Sequence, residues 1–242
     1  MNEIITFNNK YRSQQQEVMD NLDFQGLEMD NLLNDLKLVN KWLGGNNITI
    51  DGIQKLLENQ SKDKKITILD LGCGDGELLR KCADFGRKNK LNFEFVGIDF
   101  NENILNFAKI KSSQYSNIQF KKVDVFLDEN IIPNCDIALC TLFLHHFSNE
   151  KIESLLKKLI NKASIGLIVN DLQRSKQAFN LFKVASQLFL KTKTARHDGL
   201  ISVARGFKKA ELETISTKIP NQQSEIHWRW AYRYQWILKK EL

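Results

Sequence analysis

LDLGCGDGELL, residues 69–79, closes a β-forming apolar run, packs three glycines into five positions (Gly72, Gly74 and Gly76) and opens a helical segment. So much bare backbone in a strand-to-helix turn lets a ligand come close. The flanking acids narrow the ligand. A dinucleotide fingerprint, G-x-G-x-x-G, needs glycine at position 77, which Glu77 occupies. A pyrophosphate brought among Asp70, Asp75 and Glu77 would meet repulsion, whereas a cation would be attracted.

Outward from this turn, short β-rich runs alternate with helical ones: ITILDLG then ELLRKCADFGRK; FEFVGIDF then ENILNFAKIKSS; IQFKKVDVF; CDIALCTLF then EKIESLLKKLINKA; and IGLIVNDL. Five strand runs interleaved with helical ones predict a mostly parallel sheet with helices on both faces, and the apolar runs IALCTLF and IGLIV suit strands buried on both sides. SEIHWRW and RYQWILKKEL lie too close together for a parallel crossover and predict an antiparallel pair. The expected fold is α/β and doubly wound, with seven strands and an antiparallel last strand. Trp228, Trp230, Tyr232 and Trp236 alternate along this pair and read as core.

Two segments lie outside that frame. Residues 1–63 read as an N-terminal helical extension or lid ahead of a main domain at 64–242. In it Met29, Leu32, Leu33, Leu36, Val39 and Leu43 keep helical spacing up to Gly44-Gly45. A second helix follows over IDGIQKLLENQ, with Thr49 placed to cap it. After the fifth strand, 174–209 reads as an acceptor-side insertion: an apolar helix, then a polar loop around ARHDGLISVARGF.

Length and composition fit one main globular domain: 242 residues, 42% of them hydrophobic and 26% charged. No secretory signal or membrane-length apolar stretch is seen, so a cytoplasmic protein is expected. Cys73, Cys82, Cys135 and Cys140 form no C-x-x-C pair and read as buried thiols; no metal is expected. Residues 171–242 carry 14 Lys/Arg against 6 Asp/Glu, while residues 1–170 carry 21 against 23. That surplus suits either an anionic partner or a solvated basic surface.

DLGCGDG resembles the glycine-rich motif of class I S-adenosylmethionine-dependent methyltransferases, whose cofactor carries an ammonium and a sulfonium and no phosphate. The resemblance covers residues 64–172 and the terminal antiparallel pair. It implies S-adenosylmethionine as cofactor and S-adenosylhomocysteine as product. Asp70 is then expected near the methionine amino group, with Gly72, Cys73, Gly74 and Gly76 lining the methionine and ribose. Asp99, ending GIDF, is expected at the ribose hydroxyls, which a carboxylate's two oxygens can both accept. The resemblance further implies that Phe100 covers the adenine and that Asp124 and the Val125 amide, ending the third strand in VDVF, meet its edge. Cys140, Thr141 and Leu142 lie beside the methionine end.

For the acceptor, His145 and His146 leave the fourth strand where the methyl group is delivered. A histidine titrates near neutrality, so one of them is a candidate base. Neighbours on an extended segment face opposite ways, so one should face the acceptor, and adjacent histidines are poorly placed to chelate one ion. The alternative is a structural histidine bonded to backbone. Phe143, Phe182, Arg196, His197 and Arg205 are candidate acceptor contacts, with Phe179, Leu188 and Phe189 extending an apolar wall; a surface Arg–Asp pair that pins the loop is the bland alternative.

WLGG together with RHDG also resembles a bacterial subgroup of small-molecule methyltransferases associated with type III polyketide synthases and phenolic pathways. That implies O- or C-methylation of a phenolic or otherwise apolar acceptor. CTLFLHHF lacks the acidic or N-P-P-Y-like element of nucleic-acid N-methyltransferases. Methylation of tRNA or rRNA and a catalytically silent cofactor-binding module remain alternatives.

Overall fold

A computed structural model describes residues 5–21, 26–42, 44–127 and 131–241. Leu43, the last position of the predicted helical stripe, lies outside them. Strands β1 (Ile66–Leu71), β2 (Phe93–Asp99), β3 (Ile118–Lys122), β4 (Cys135–Thr141), β5 (Ala163–Leu172), β6 (Gln222–Arg229) and β7 (Arg233–Lys240) form a seven-stranded sheet in the order β3-β2-β1-β4-β5-β7-β6. The first five are parallel, and β7 runs antiparallel to both β5 and β6. Chain order reverses between β1 and β4, so a crevice opens above their carboxyl ends.

The central strands pack as their sequence predicts, with Ile68, Leu69, Ile137, Leu139, Leu167 and Ile168 fully buried. Helices α3 (Glu77–Asn89), α4 (Glu102–Lys111), α5 (Asn149–Lys162) and α8 (Lys209–Ser216) accompany the sheet. Ser148 caps α5 and Asn101 caps α4, each accepting from amides of the first turn.

Helix α2 (Gly45–Leu57) departs from the expected preface. Ile53 and Leu56 share a core cluster with Ile68, Ile168 and Ile237, and a Cβ at Gly52 would lie 2.9 Å from Ile168. It is therefore part of the layer covering the sheet. Thr49 does not cap it; Thr49 is buried inside the helix, where its hydroxyl lies 3.0 Å from that of Thr141.

Helix α1 (Leu27–Trp42) packs Met29, Leu32 and Leu33 against Ile104, Leu190 and Ala195, above the carboxyl edge of the sheet. The insertion holds α6 (Lys176–Phe189) and, in place of the expected loop, a second helix, α7 (Lys193–Arg205). Thr192 caps α7, and Asp35 of α1 accepts from the amides of Lys191 and Thr192. Gly199 does not break α7, because it lies where the Phe182 ring comes against the helix and a Cβ would collide.

In the terminal pair Trp236 is buried, as expected of core. Trp228 and Trp230 are 51% and 64% exposed, which corrects that expectation for them. All four cysteines are buried free thiols. Among the described residues no helix is long and apolar enough to cross a membrane.

Candidate active site

A cavity of about 540 Å³ occupies the crevice. Its floor is the turn from Gly72 to Asp75. Gly72 takes φ +66°, and the Phe143 ring lies where its Cβ would be, so only glycine fits both the turn and its neighbour. The amides of Gly72 and Cys73 donate to the Ile98 carbonyl at 2.9 and 3.1 Å, which ties the turn to the end of β2.

Asp70 and Asp99 end adjacent strands. Burial first, and then the charge of Asp99, pushes the Asp70 carboxyl well above the usual carboxylate range, and it accepts no hydrogen bond from the described residues. Asp99 accepts from the Gly74 amide at 3.0 Å and from the Asn101 amide at 2.9 Å. Burial raises its pKa, and these amides pull against the rise. The cap of α4 is Asn101, so Asp99 is not spent on capping a helix.

Asp75 behaves otherwise than the sequence suggests. It meets Lys111 at 3.0 Å and Arg80 at 3.5 Å, so its charge is balanced at the turn itself. Asp70, Asp99 and Glu77 line the cavity on this side, and Asp20 and Asp124 also line it.

Phe100, Asp124, Val125, Thr141, Leu142 and Phe143 all line the cavity, as do Cys73, Gly72 and Gly74. Gly76, the N-terminal flank of α3, does not itself line the cavity, although Asp75 and Glu77 on either side of it do. Asp124 and Val125 follow β3 rather than end it, because pairing with β2 stops at Lys122. Leu142 has φ +51°, an uncommon conformation for leucine, and donates to the Asn170 carbonyl at 2.8 Å. Cys140 is sealed within β4 and does not line the cavity.

The two histidines share a 3-10 turn, Leu144–His146, in place of the extended segment expected, and they differ in burial. His146 lines the cavity; His145 is 3% exposed. The Nδ1 of His145 lies 2.7 Å from Asp171, and its Nε2 makes an ion-pair approach of 3.4 Å to Glu17 without hydrogen-bond geometry. Burial opposes a charge on this ring, but the two carboxylates prevail and push it up to about 9. Burial raises both carboxyls in turn, but His145, with help from His146 and, for Asp171, the Leu172 amide, holds them below the usual carboxylate range.

The rings of His145 and His146 lie 4.3 Å apart, and with Glu17 they bring three possible metal-ligand atoms within 4.8 Å of one another. Adjacency alone therefore does not separate them, contrary to the sequence argument. A protonated His145 has no lone pair to offer an ion.

Arg205 lines the cavity but is anchored. It donates to the carbonyls of His145 at 3.1 Å and His146 at 2.5 Å, and so fixes the histidine turn. Arg12 reinforces it by donating to the same His145 carbonyl at 2.9 Å. Of the other candidate acceptor contacts, Arg196 caps the end of α6 through the Leu190 carbonyl, His197 bonds Asp198 at 3.0 Å, and Phe182 packs under Gly199. None of these three lines the cavity. Phe179 is buried elsewhere, with Phe7 and Val203, and Leu188 is 73% exposed.

Gln16, Met19 and Asp20 of the N-terminal segment, and Leu33, Leu36, Lys37 and Asn40 of α1, complete the opposite wall. Sequence reasoning missed the segment, which has no periodicity. The only available signal was the α1 stripe, of which Leu33 and Leu36 line the cavity.

No curated protein matches this sequence. Among solved structures, the plantazolicin methyltransferase BpumL in complex with SAH is similar at 15% identity over 86% of this chain and 90% of that chain, with a TM-score of 0.63. Magnesium protoporphyrin IX methyltransferase (ChlM) from Synechocystis PCC 6803 with bound SAH is similar at 19% identity, covering 84% and 87%, with a TM-score of 0.56. The methyltransferase domain of bacterial-CtHen1-C is similar at 16% identity, covering 83% and 100%, with a TM-score of 0.60. At these identities the likeness is one of fold. A family model described as a methyltransferase domain matches residues 62–232, well over half of the sequence, and the chain belongs to that family.

Proposed function

We propose that the protein is an S-adenosylmethionine-dependent methyltransferase acting on a small phenolic or otherwise apolar acceptor, by O- or C-methylation. The observation that carries the cofactor is Asp70: a buried carboxyl group, without a hydrogen-bond donor among the described residues, at the floor of a glycine-made cavity. A group in that state is completed by a ligand cation and worsened by a phosphate. The fit continues outward, with Asp99 on the cavity for ribose hydroxyls and Phe100, Asp124 and Val125 around an adenine site.

The cofactor supplies an electrophilic methyl group on a sulfonium. The chain's own residues bind, orient and move the proton. Leu33, Leu36 and Met19 give the acceptor side an apolar wall. His146 takes the acceptor's proton, through the one ring among the four histidines that lines the cavity. His146→Ala is expected to lower turnover by about 100- to 10,000-fold, the usual worth of a general base, while cofactor affinity stays as in the wild type.

Calorimetry with S-adenosylmethionine, S-adenosylhomocysteine and NADH tests the cofactor. Heat from NADH alone would end the proposal. Incubation with labelled cofactor and cell extract, followed by mass spectrometry of the compound that gains a methyl group, tests the acceptor class; a labelled RNA in place of a small molecule would overturn it.

A further inference from the structure

Residues 12–20 contain no recognisable motif, yet they are tied at almost every step to α7 and the histidine turn. The Ser13 amide donates to the Ala204 carbonyl at 3.1 Å, Ser202 donates to Glu17 at 2.8 Å, and the amides of Val18 and Met19 both donate to the Asp198 carboxylate. The segment delivers one charged side chain to the cavity, Asp20. Its two carboxylate oxygens lie 3.2 and 3.3 Å from Nδ1 of His146, and Arg205 stands 3.5 Å from one of them.

We propose that Asp20 is the positioning residue of the His146 base, so that the N-terminal segment is a working part of the active site. This rests on the reading of His146 as the proton acceptor. An ionised carboxylate only accepts hydrogen bonds, so Nδ1 of His146 must carry the hydrogen, and Nε2 of the neutral ring keeps the lone pair. Nε2 has no hydrogen-bond partner among the described residues, which leaves it free for an acceptor in the cavity. Burial disfavours the Asp20 charge, but the contacts with His146 and Arg205 outweigh it and hold the carboxyl below its usual range.

The neighbouring histidine shows why the pairing is functional and not merely adhesive. His145 also offers Nδ1 to a carboxylate, Asp171, but its other nitrogen faces Glu17 and is walled off. His146 repeats the first half of that arrangement, lines the cavity, and has no second carboxylate paired with its other nitrogen among the described residues. One residue of the turn is a strut, and the next is oriented for chemistry.

The test uses the full chain with nitrogen-15 in its histidines and reads the His146 tautomer from two-bond nitrogen–proton correlations of the neutral ring. Wild type is expected to show the Nδ1–H form, Asp20→Ala to lose it in favour of Nε2–H, and Asp20→Glu to restore it. Retention of Nδ1–H in Asp20→Ala overturns the proposal by itself. A second readout is labelled methyl transfer to para-propylphenol, where Asp20→Ala should lower kcat at least about tenfold with cofactor Kd unchanged, a typical loss for an orienting partner. Ser202→Ala, which loosens the segment without touching Asp20, should leave the tautomer as in wild type. Transfer that proceeds in Asp20→Ala at the wild-type rate overturns the role of Asp20 alone. A wild type that methylates no phenol, with tautomers that follow Asp20, overturns the proposed activity and leaves the orientation of His146 standing.

Discussion

The two walls of the cavity are built by different means. The glycine wall is local: Gly72, Cys73, Gly74 and Asp99 lie within one β-α-β passage, and they are joined by backbone amides to Ile98 and Asp99. The histidine wall is assembled from far apart, through Arg12 to His145 across 133 positions, Asp20 to His146 across 126 and Val18 to Asp198 across 180. A wall of the first kind forms whenever its two strands pair. One of the second kind must close long loops, and it is held by charges that are buried together. The two should therefore fail separately.

The largest effect is expected at His145. His145→Ala leaves Asp171 and Glu17 buried without their shared cation, at a cost of about 3–5 kcal/mol in urea unfolding. Trypsin should then cut early at Lys10 or Arg12, while S-adenosylmethionine affinity changes little. Equal loss of cofactor binding would break the comparison. The pH dependence has a fixed sign. His145 is raised from 6.5 to about 9, so its contribution is complete below 6.5 and is lost as pH rises through about 9. Asp171 and Glu17 are lowered, so theirs is present above the ordinary carboxylate range and is lost on acidification. Docking of the segment should thus weaken at both extremes, and the alkaline step should vanish in His145→Ala.

This division also explains what was legible in the sequence. The sheet, its switch point, the glycine turn and the placement of Asp70 and Asp99 all follow from short-range pattern, and the structure has them. Asp75 was misread because Lys111, which balances it, lies 36 positions away. Helix α7 was read as a polar loop, and its glycine, Gly199, gives no helical signal in the sequence. Only the packed Phe182 ring shows why glycine is needed within a helix. Asp20 was invisible, since an isolated acid before a helix acquires meaning only when the fold brings His146 to it.

A smaller effect sharpens the local side. Asp99→Ala should weaken S-adenosylmethionine binding by about 1–3 kcal/mol, the cost of losing hydrogen bonds to a charged acceptor. Calorimetry measures it. Because Asp99 also accepts from the Gly74 amide, part of this loss is disorder of the turn, which Asp99→Asn separates by keeping one acceptor oxygen. Neither variant should alter the protease sensitivity of the N-terminal segment.

The smallest effect is the most specific to the identity of the ligand. Asp70 is held above its ordinary range by burial and by Asp99, so in the free protein it keeps its proton to a higher pH than an exposed aspartate. A ligand ammonium seated beside it favours the carboxylate and so expels that proton. Linkage then requires affinity to fall as pH falls through the raised range of free Asp70, by at most about tenfold per pH unit for one proton. Calorimetry in two buffers of different ionisation heat should detect proton release with S-adenosylmethionine, and Asp70→Asn should abolish both the release and the slope. The alkaline step of His145 should persist in that variant, because its carboxylate partners, Asp171 and Glu17, belong to the other wall. A flat affinity profile without proton release would place the ammonium elsewhere, and the glycine wall would then be a scaffold for some other cationic group.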